Sequence, residues 1–219
     1  MNDKDLMLSK KIQDYYEKQY DTYQASVILH NERTFLERLR IGETLESLIP
    51  NGSKILDIAS GSCQWIEFIS SKIDNYIAFD SNKSLLDHAM AKWPEKVTPM
   101  HGNIFERTSD PSIYRNVDIL LLSFFLSHFS DETIRELFLN IVPLKKTIII
   151  IDSFQHIGNL KFNGLELVKR KNSNHEIVEI PKRYFLEEEL IGLAGEFNLS
   201  MDLKFKGMFW FLCVFNVGH

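Results

Sequence analysis

The sequence predicts an α/β fold: a doubly wound, mostly parallel sheet of seven strands, with helices at the N-terminus and an antiparallel hairpin at the C-terminus. Apolar runs of strand length alternate with segments of helical periodicity, which is the pattern of repeated β-α units. The runs are apolar at nearly every position, as in parallel strands that helices cover on both faces. The last third of the chain breaks this rhythm and ends in two strand-like runs.

Five apolar runs in the middle of the chain are predicted strands: 54–59, 76–80, 97–100, 117–123 and 146–152. Helical segments follow the first, second and fourth of them and read QWIEFISSK, SLLDHAMAKW and DETIRELFLNIV. Ser81 or Asn82 can cap the second helix, and Ser130 can cap the third. Because crossovers between parallel strands are right-handed, this order predicts a doubly wound, Rossmann-like sheet.

The two ends of the chain carry the remaining elements. Residues 4–24 and 31–49 have helical periodicity. After the fifth strand comes a long polar stretch with two hairpin-like runs around Asn172–Asn174. A helix, LEEELIGLAGEF, follows, and the last two runs meet at Lys206-Gly207, so we expect an antiparallel hairpin at one sheet edge.

Composition excludes several classes of partner. The chain has 219 residues, 44% of them hydrophobic, and a formal net charge of −5, which disfavours a general attraction to nucleic acid or anionic membrane. The charged N-terminus lacks a signal-peptide core, and no apolar run reaches the ~18 residues of a membrane span. Cys63 and Cys213 are expected to be free thiols, and no metal-ligand spacing is present. We therefore expect a cytoplasmic protein with a small-molecule partner, no nucleic acid, no membrane and no metal.

The segment KILDIASGSCQW, residues 54–65, predicts the ligand site. The first strand ends in a loop of small residues, and the next helix begins after that loop. In an open parallel sheet, ligands bind beyond the carboxyl ends of the strands, where backbone must approach the ligand closely. Ala59, Ser60 and Gly61 permit that approach and present backbone N–H groups.

LDIASGSCQW resembles motif I of the class I S-adenosylmethionine (SAM)-dependent methyltransferases. Asp57 matches the acidic position and Gly61 the central glycine, whereas Ala59 and Cys63 replace the flanking glycines. Alanine and cysteine tolerate a positive φ poorly, so we expect the loop either to avoid that region or to carry strain. The resemblance implies that Asp57, Ala59, Ser60 and Gly61 belong to a site for SAM, with S-adenosylhomocysteine (SAH) as the product.

Three further segments follow in the order of the family. YIAFDSN places Asp80 and Ser81 near the roughly 20-residue offset at which an acid holds a ribose. MHGNIFE resembles the turn that meets the adenine amino group, with Asn103 at the usual aspartate position and Ile104 beside it. VDILLLSFFLSHFSDE and TIIIIDS resemble small-molecule methyltransferases that carry Ser-His after strand four and Asp-Ser at the end of strand five; Ser123 is assigned to the cofactor.

The resemblance divides one expected domain, 1–219, into three parts: a helical lid at 1–49, a cofactor-binding half at 50–155, and a substrate-side insertion with the terminal hairpin at 156–219. In the family an N-terminal helix commonly closes over cofactor and acceptor. Four tyrosines at helix-compatible spacing are therefore candidate acceptor contacts: Tyr15, Tyr16, Tyr20 and Tyr23. Ordinary packing of a tyrosine stripe is the alternative interpretation.

The candidate catalytic residues are His128 and Asp152. A neutral imidazole just past strand four can accept a proton from the acceptor near pH 7. Alternatively, His128 hydrogen-bonds a neighbouring loop or the cofactor and takes no proton. Asp152 either orients His128, faces the acceptor or caps the segment that follows it.

The hypothesis from the sequence is methyl transfer to an oxygen or nitrogen of a small metabolite, in secondary metabolism. A non-catalytic subunit with the same fold is the main alternative, because the altered glycines and Asn103 are also what decay of the site would leave. A nicotinamide-dependent reductase shares the sheet and the acidic ribose contact. The loop after the first strand lacks the third glycine of that class.

Overall fold

A computed structural model of the chain describes Tyr15 and residues 32–107, 114–155, 164–171 and 176–217. The helices are α1 (Glu32–Leu48), α2 (Ile66–Ile69), α3 (Lys83–Lys92), α4 (Ile104–Arg107), α5 (Asp131–Ile141) and α6 (Glu187–Glu196). The strands are β1 (Ser53–Ile58), β2 (Ile73–Asp80), β3 (Val97–His101), β4 (Ile119–Ser123), β5 (Thr147–Ser153), β6 (Glu166–Lys171), β7 (Ile177–Lys182), β8 (Leu199–Lys206) and β9 (Trp210–Val217). Two 3-10 turns lie at Leu126–His128 and Val142–Leu144.

Seven strands form one sheet in the order β3-β2-β1-β4-β5-β9-β8. The first five pair in parallel, whereas β9 is antiparallel to both β5 and β8. The predicted mostly parallel sheet with a C-terminal hairpin at its edge is therefore confirmed. The strand order reverses between β1 and β4, which is the switch point where ligands bind in doubly wound sheets.

Apolar side chains cover both faces of this sheet. Along β1, Ile55 belongs to one buried cluster and Leu56 to the other, as the period of two of a strand requires. Helices α1, α2 and α3 contribute to the first of these clusters, and α5 and α6 contribute to the second. The continuously apolar runs of the sequence follow from this double coverage.

Two predicted helix starts have the expected caps. Asn82 Oδ1 accepts a hydrogen bond from the Leu85 N–H at 3.2 Å, and Ser130 Oγ accepts one from the Thr133 N–H at 3.3 Å. Each cap satisfies one of the backbone donors that the first turn leaves without an intrahelical partner.

The helix predicted after the first strand is much shorter than expected. Only Ile66–Ile69 is α-helical, because the loop before it is a series of turns and β2 already begins at Ile73. The Lys72 N–H donates to the Ile69 carbonyl at 2.9 Å, so the chain turns at once into the next strand. The crossover between β1 and β2 is therefore made largely of turns.

The predicted polar insertion contains a separate two-stranded antiparallel sheet, in which Val168 lies opposite Ile180. The predicted pair of hairpin-like runs is thereby confirmed as β6 and β7, and the connecting residues 172–175 lie outside the described part. At the N-terminus, α1 matches the predicted helix at 31–49, and Tyr15 is helical. The rest of the predicted helix at 4–24 lies outside the described residues.

The side chain of Glu37 joins helix α1 to the terminal hairpin. The Glu37 carboxylate accepts hydrogen bonds from the N–H groups of Met208, Phe209 and Trp210, at 2.7, 3.1 and 3.2 Å. A Cβ added at Gly207 would lie 2.4 Å from a Glu37 carboxylate oxygen, so a glycine is needed there for the close approach. Helix α1 therefore has a defined position over one end of the sheet.

None of the helices in the described part of the chain combines the length and the apolar composition needed to cross a bilayer. Cys63 and Cys213 are both buried free thiols. Burial raises the pKa of each thiol, so both stay in the unreactive protonated form at neutral pH.

Candidate cofactor site

A cleft lies at the carboxyl ends of β1, β2 and β4, at the switch point of the sheet. Its empty space, open mouth included, is about 1080 Å³. Its lining comes from four segments: 59–62 with Gln64, 79–82 with Leu85, 102–105, and 123–125 with His128 and Phe129. These predicted residues line it: Ala59, Ser60, Gly61, Asp80, Ser81, Asn103, Ile104, Ser123 and His128. Asp57, Asp152 and Tyr15 are not among the lining residues.

The loop after β1 alternates between ordinary and left-handed backbone. The φ angles are 57° at Ala59, 53° at Gly61 and 54° at Cys63. These are the three positions at which the motif of the resembling family has glycine. The loop therefore follows the second of the two expected courses and carries strain, at roughly 1–2 kcal/mol for each non-glycine residue.

Hydrogen bonds hold the loop in this conformation. The Ser60 N–H donates to the Phe79 carbonyl at 3.1 Å, and the Cys63 N–H donates to the Ser60 carbonyl at 2.9 Å. The Cys63 side chain is 1% exposed and packs in the core cluster that α1 covers. A Cβ added at Gly61 would meet no described atom within 4 Å, so the space above the centre of the loop is open.

Asp80 joins the loop to the end of β2. One carboxylate oxygen, Oδ2, accepts the Gly61 N–H at 2.8 Å, and Oδ1 accepts the Asn82 N–H at 2.8 Å. Burial raises the pKa of Asp80, and the hydrogen bonds from Asn82 and Gly61 counter that shift. Because each carboxylate oxygen can accept two hydrogen bonds, Asp80 retains acceptor capacity toward the cleft that it lines.

Asp57 lies beneath the loop and away from the cleft. Its side chain is buried in the middle of the sheet, where Oδ2 accepts a short hydrogen bond from the Tyr76 hydroxyl. Burial raises the pKa of Asp57 to about 8, opposed by the hydrogen bond from Tyr76 and assisted by the charge of Asp80. Asp57 Oδ1 has no hydrogen-bond partner among the described residues. Asp57 therefore joins β1 to β2 two residues before the loop begins.

Apolar side chains form the far end of the cleft. Asn103 Oδ1 accepts the Phe105 N–H at 3.1 Å at the start of α4. The Phe105 ring stacks on Phe125 with centroids 5.9 Å apart and meets Phe129 edge-on at 4.9 Å. Asn103 thus has the turn role that its residue type favours, at a position that still lines the cleft.

The wall formed by the end of β4 contains Ser123, which was predicted, and Phe124, which sequence reasoning missed. Ser123 Oγ accepts the Trp65 indole N–H at 2.6 Å. The next residue, Phe124, has a φ of 51°, and its ring lies between Trp65 and Trp210, with centroids at 6.2 and 5.2 Å. A left-handed phenylalanine gives no sequence signal, because its conformation depends on these non-local contacts.

His128 lines the cleft but its ring is 3% exposed. Nδ1 lies 2.7 Å from the Pro181 carbonyl, and since a carbonyl can only accept, Nδ1 carries the proton and Nε2 is the acceptor nitrogen. Burial and, to a smaller extent, the charges of Lys182 and Arg170 together lower the pKa of His128 to about 3, against the opposing hydrogen bond to Pro181. The imidazole is therefore neutral at pH 7.

Asp152 lies behind the turn that carries His128. It is fully buried, and its carboxylate accepts the Ser127 N–H at 3.0 Å and the Ser153 N–H at 2.7 Å. Lys182 Nζ lies 3.7 Å from Asp152 Oδ1. The Asp152 carboxylate thus holds the backbone next to His128, so Asp152 acts on His128 through the turn.

The predicted acceptor contacts are only partly within the described residues. Tyr15 is buried, and burial raises the pKa of its hydroxyl while the charge of Arg170 lowers it. Tyr16, Tyr20 and Tyr23 lie outside the described residues.

A nucleoside fits the polar groups of this cleft. Asn82 uses Oδ1 as a helix cap, and its Nδ2 is buried without a partner among the described residues, which leaves a donor beside the acidic Asp80. The apolar end, with Leu85, Ile104 and Phe105, suits a flat base. No cluster of metal-binding side chains occurs in the described ranges.

The sequence matches no protein-family model and no curated protein sequence. Solved structures with this fold include DhpI in complex with SAH, at 17% identity over 96% of this chain and 97% of that chain, with a TM-score of 0.75. The magnesium protoporphyrin IX methyltransferase ChlM from Synechocystis PCC 6803, with bound SAH, is similar at 11% identity, 96% and 100% coverage and a TM-score of 0.65. The glycopeptide N-methyltransferase MtfA in complex with SAM is similar at 9% identity, 87% and 96% coverage and a TM-score of 0.58.

These structures cover nearly the whole chain, and the order of strands, the switch point and the terminal hairpin agree with the expectation from motif I. The chain has the fold of the class I SAM-dependent methyltransferases.

Proposed function

We propose that this chain binds SAM in the cleft and transfers its methyl group to an oxygen or nitrogen of a small metabolite, with SAH as the product. The proposal rests mainly on the way the β1 loop and Asp80 are bonded together at the switch point. The loop has left-handed backbone at positions 59, 61 and 63, and Asp80 is bonded to its central glycine.

Named residues would hold the cofactor. Asp80 would accept the ribose hydroxyls, with Asn82 and Ser81 beside it. The loop residues Ala59, Ser60 and Gly61 would lie against the amino acid tail. Asn103 and Ile104 would contact the base, and Ser123 would contact the opposite side of the cofactor. All three residues line the cleft. Asp57 would act from below by supporting the loop.

When bound, the cofactor supplies a sulfonium-activated methyl group, so the protein has to align the acceptor and exclude water. The aromatic wall of Phe105, Phe125 and Phe129 favours a dry site. His128 is proposed to accept a hydrogen bond from the acceptor's O–H or N–H at Nε2, which directs a lone pair of the acceptor atom toward the methyl group. A pKa of about 3 makes the ring a weak base, so we favour orientation of the acceptor over full proton removal.

A small acceptor is supported by the apolar character of the cleft and by a net charge of −5. DhpI, ChlM and MtfA are solved with SAM or SAH, and two of them are named for the methylation of a porphyrin and of a glycopeptide. We extend this chemistry to a role in secondary metabolism and to a cytoplasmic protein without nucleic acid or membrane partners. The segment 1–49, which includes Tyr15, Tyr16, Tyr20 and Tyr23, is proposed as the lid over the acceptor.

Cofactor binding is tested by thermal shift with SAH, SAM and NAD, on wild type and on D80A. We expect SAH and SAM to raise the melting temperature of wild type and NAD to leave it unchanged. Stabilisation by NAD alone would support a reductase, and no response to any of the three would support a non-catalytic interaction subunit.

Methyl transfer is tested with labelled SAM and a panel of phenols, alcohols, amines and carboxylic acids. We expect label in the product of one acceptor class, with SAH formed in equal amount. If the chain binds SAH but yields neither a labelled product nor newly formed SAH with any acceptor, the non-catalytic alternative is favoured.

A further inference from the structure

The end of β7 contacts the 3-10 turn that carries His128 through three consecutive residues. The Pro181 carbonyl accepts the His128 Nδ1 proton at 2.7 Å. Lys182 Nζ donates to Ser127 Oγ at 2.6 Å, and the Arg183 N–H donates to the Ser127 carbonyl at 2.8 Å. The turn is thus bonded along its length to a strand of the insertion, more than fifty residues away in sequence.

Lys182 is an unusual residue at this place because its side chain is buried. It is 7% exposed, its ammonium lies 3.7 Å from Asp152 Oδ1, and Asp152 is fully buried. Removing two charges from water costs about as much as their attraction returns, so a buried ion pair is a weak source of stability. A second effect of such a pair is the geometry that it imposes on its neighbours.

The geometry imposed here concerns Ser127. Asp152 Oδ2 accepts the Ser127 N–H at 3.0 Å, and Lys182 bonds the hydroxyl of the same residue. The acid from β5 and the cation from β7 therefore hold the residue before His128 from two sides. Pro181, the neighbour of Lys182, is the group that determines which ring nitrogen of His128 carries the proton.

We propose that Lys182 is a positioning residue that, with Asp152, anchors β7 to the turn at 126–128 and so fixes the orientation and the Nδ1–H tautomer of His128. The role in catalysis rests on the proposed methyl transfer, in which Nε2 must be the acceptor nitrogen.

The charges around the ring agree with this role. Lys182 from β7 and Arg170 from β6 both lower the pKa of His128, and Asp152 lies on the far side of Ser127. Arg183, next to Lys182, is neutralised by Asp131 of α5 and Glu189 of α6. Burial, assisted by the charges of Lys182 and Arg170, therefore keeps the imidazole neutral, as an acceptor nitrogen requires.

The test is the ring tautomer of His128 at pH 7, read from ring-nitrogen chemical shifts of the protein labelled with ¹⁵N-histidine. H128N identifies the signal by its loss. We expect the Nδ1–H tautomer in wild type, and a mixture of tautomers in K182M, because the anchor that keeps Pro181 on the ring is removed. K169M is the matched control: Lys169 is exposed on the opposite face of the same strand pair, and its variant should keep the wild-type tautomer.

Because K182M leaves Asp152 buried without its cation, the double variant D152N/K182M is measured in parallel; it removes both charges and keeps an acceptor for the Ser127 N–H. We expect a mixture of tautomers in it too. With an active acceptor, K182M should lose about ten- to hundredfold in kcat through misplacement of the ring, with the KM for SAM changed less than twofold.

Retention of the Nδ1–H tautomer in either folded variant, or an unchanged kcat beside a mixture of tautomers, would overturn the proposal. Absence of methyl transfer by wild type would count against the proposed function alone, since the tautomer measurement needs no activity.

Discussion

The Asp80 carboxylate accepts the Gly61 backbone N–H at 2.8 Å, so the acid at the end of β2 and the glycine at the centre of the β1 loop are directly bonded. The same carboxylate binds the Asn82 N–H at the start of α3. One side chain therefore sets the spacing between the loop and the next strand. This dual task explains why an acid at this offset serves better than a neutral turn residue.

Replacement of Asp80 by alanine is expected to weaken SAH binding about ten- to hundredfold, because hydrogen bonds to a charged group contribute roughly 1.5–3 kcal/mol. Isothermal titration calorimetry measures the loss. D87A is the matched control: Asp87 is an exposed acid on α3 that pairs with Lys83, and its variant should bind SAH within twofold of wild type. An equal affinity for D80A and wild type would contradict the ribose assignment.

Replacing Ala59 or Cys63 of the strained loop by glycine is expected to change the melting temperature in opposite directions. Ala59→Gly removes roughly 1–2 kcal/mol of left-handed strain and returns about 0.4–1 kcal/mol to the unfolded chain as entropy. We therefore expect A59G to raise the melting temperature by about 2 °C. Cys63→Gly relieves the same strain but removes a buried side chain, so we expect C63G to lower it. Calorimetry of both variants is the measurement, and a lower melting temperature for A59G would show that its backbone is unstrained.

Much of the fold could be predicted from the sequence because its strands are buried on both faces. The run of β5 contains four consecutive isoleucines, Ile148–Ile151, with no turn residue among them, and such a run has few other structures open to it. The helix caps at Asn82 and Ser130 could also be predicted, because they are local sequence signals. The helix after β1 was overestimated because its length depends on where β2 begins, which periodicity does not determine.

The site was predictable where it depends on strand ends and not where it depends on distant contacts. Asp80 and Gly61 are tied by the topology of β1 and β2. The conformation of Ala59 was left open, since it depends on bonds from the loop to Phe79. Lys182 was not singled out at all, because a lysine on a short polar strand has the pattern of a solvated residue until the strand is packed against the turn at 126–128.

The role of His128 is separable by comparing two replacements. If the ring orients the acceptor through a hydrogen bond, H128N should retain part of the kcat, since an asparagine offers a donor to Pro181 and an acceptor oxygen. H128A should lose about a hundredfold. If the ring instead removes a proton, both variants should fall to the same low kcat, with labelled-methyl turnover at saturating SAM as the measurement.

The pH dependence of wild type follows from the same side chain. Because burial lowers the pKa of His128 to about 3, we expect kcat to show no inflection near 6.5, the ordinary value for histidine. Because the pKa of His128 is lower in the folded state than in the unfolded state, the neutral ring favours the folded state above pH 6.5. That contribution to stability is lost as the pH falls toward 3. An inflection in kcat near pH 6.5 that H128N abolishes would show that the ring is more hydrated than its burial implies.

Asp57 gives a pH dependence of stability in the opposite direction. Its folded pKa of about 8 lies above the model-peptide value of 3.8, so the folded state holds a proton that the unfolded state has released at intermediate pH. The contribution of this group to the free energy of unfolding is therefore greatest below pH 4 and falls as the pH rises toward 8, by up to about 1.4 kcal/mol per pH unit. D57N keeps an acceptor for the Tyr76 hydroxyl and removes the ionisation, so its melting temperature relative to wild type should increase steadily from pH 5 to pH 8. D74N, an exposed replacement on the same strand, should show no such trend. Parallel curves for D57N and wild type would mean that Asp57 is ionised throughout this range, and the loop would then rest on a buried charge.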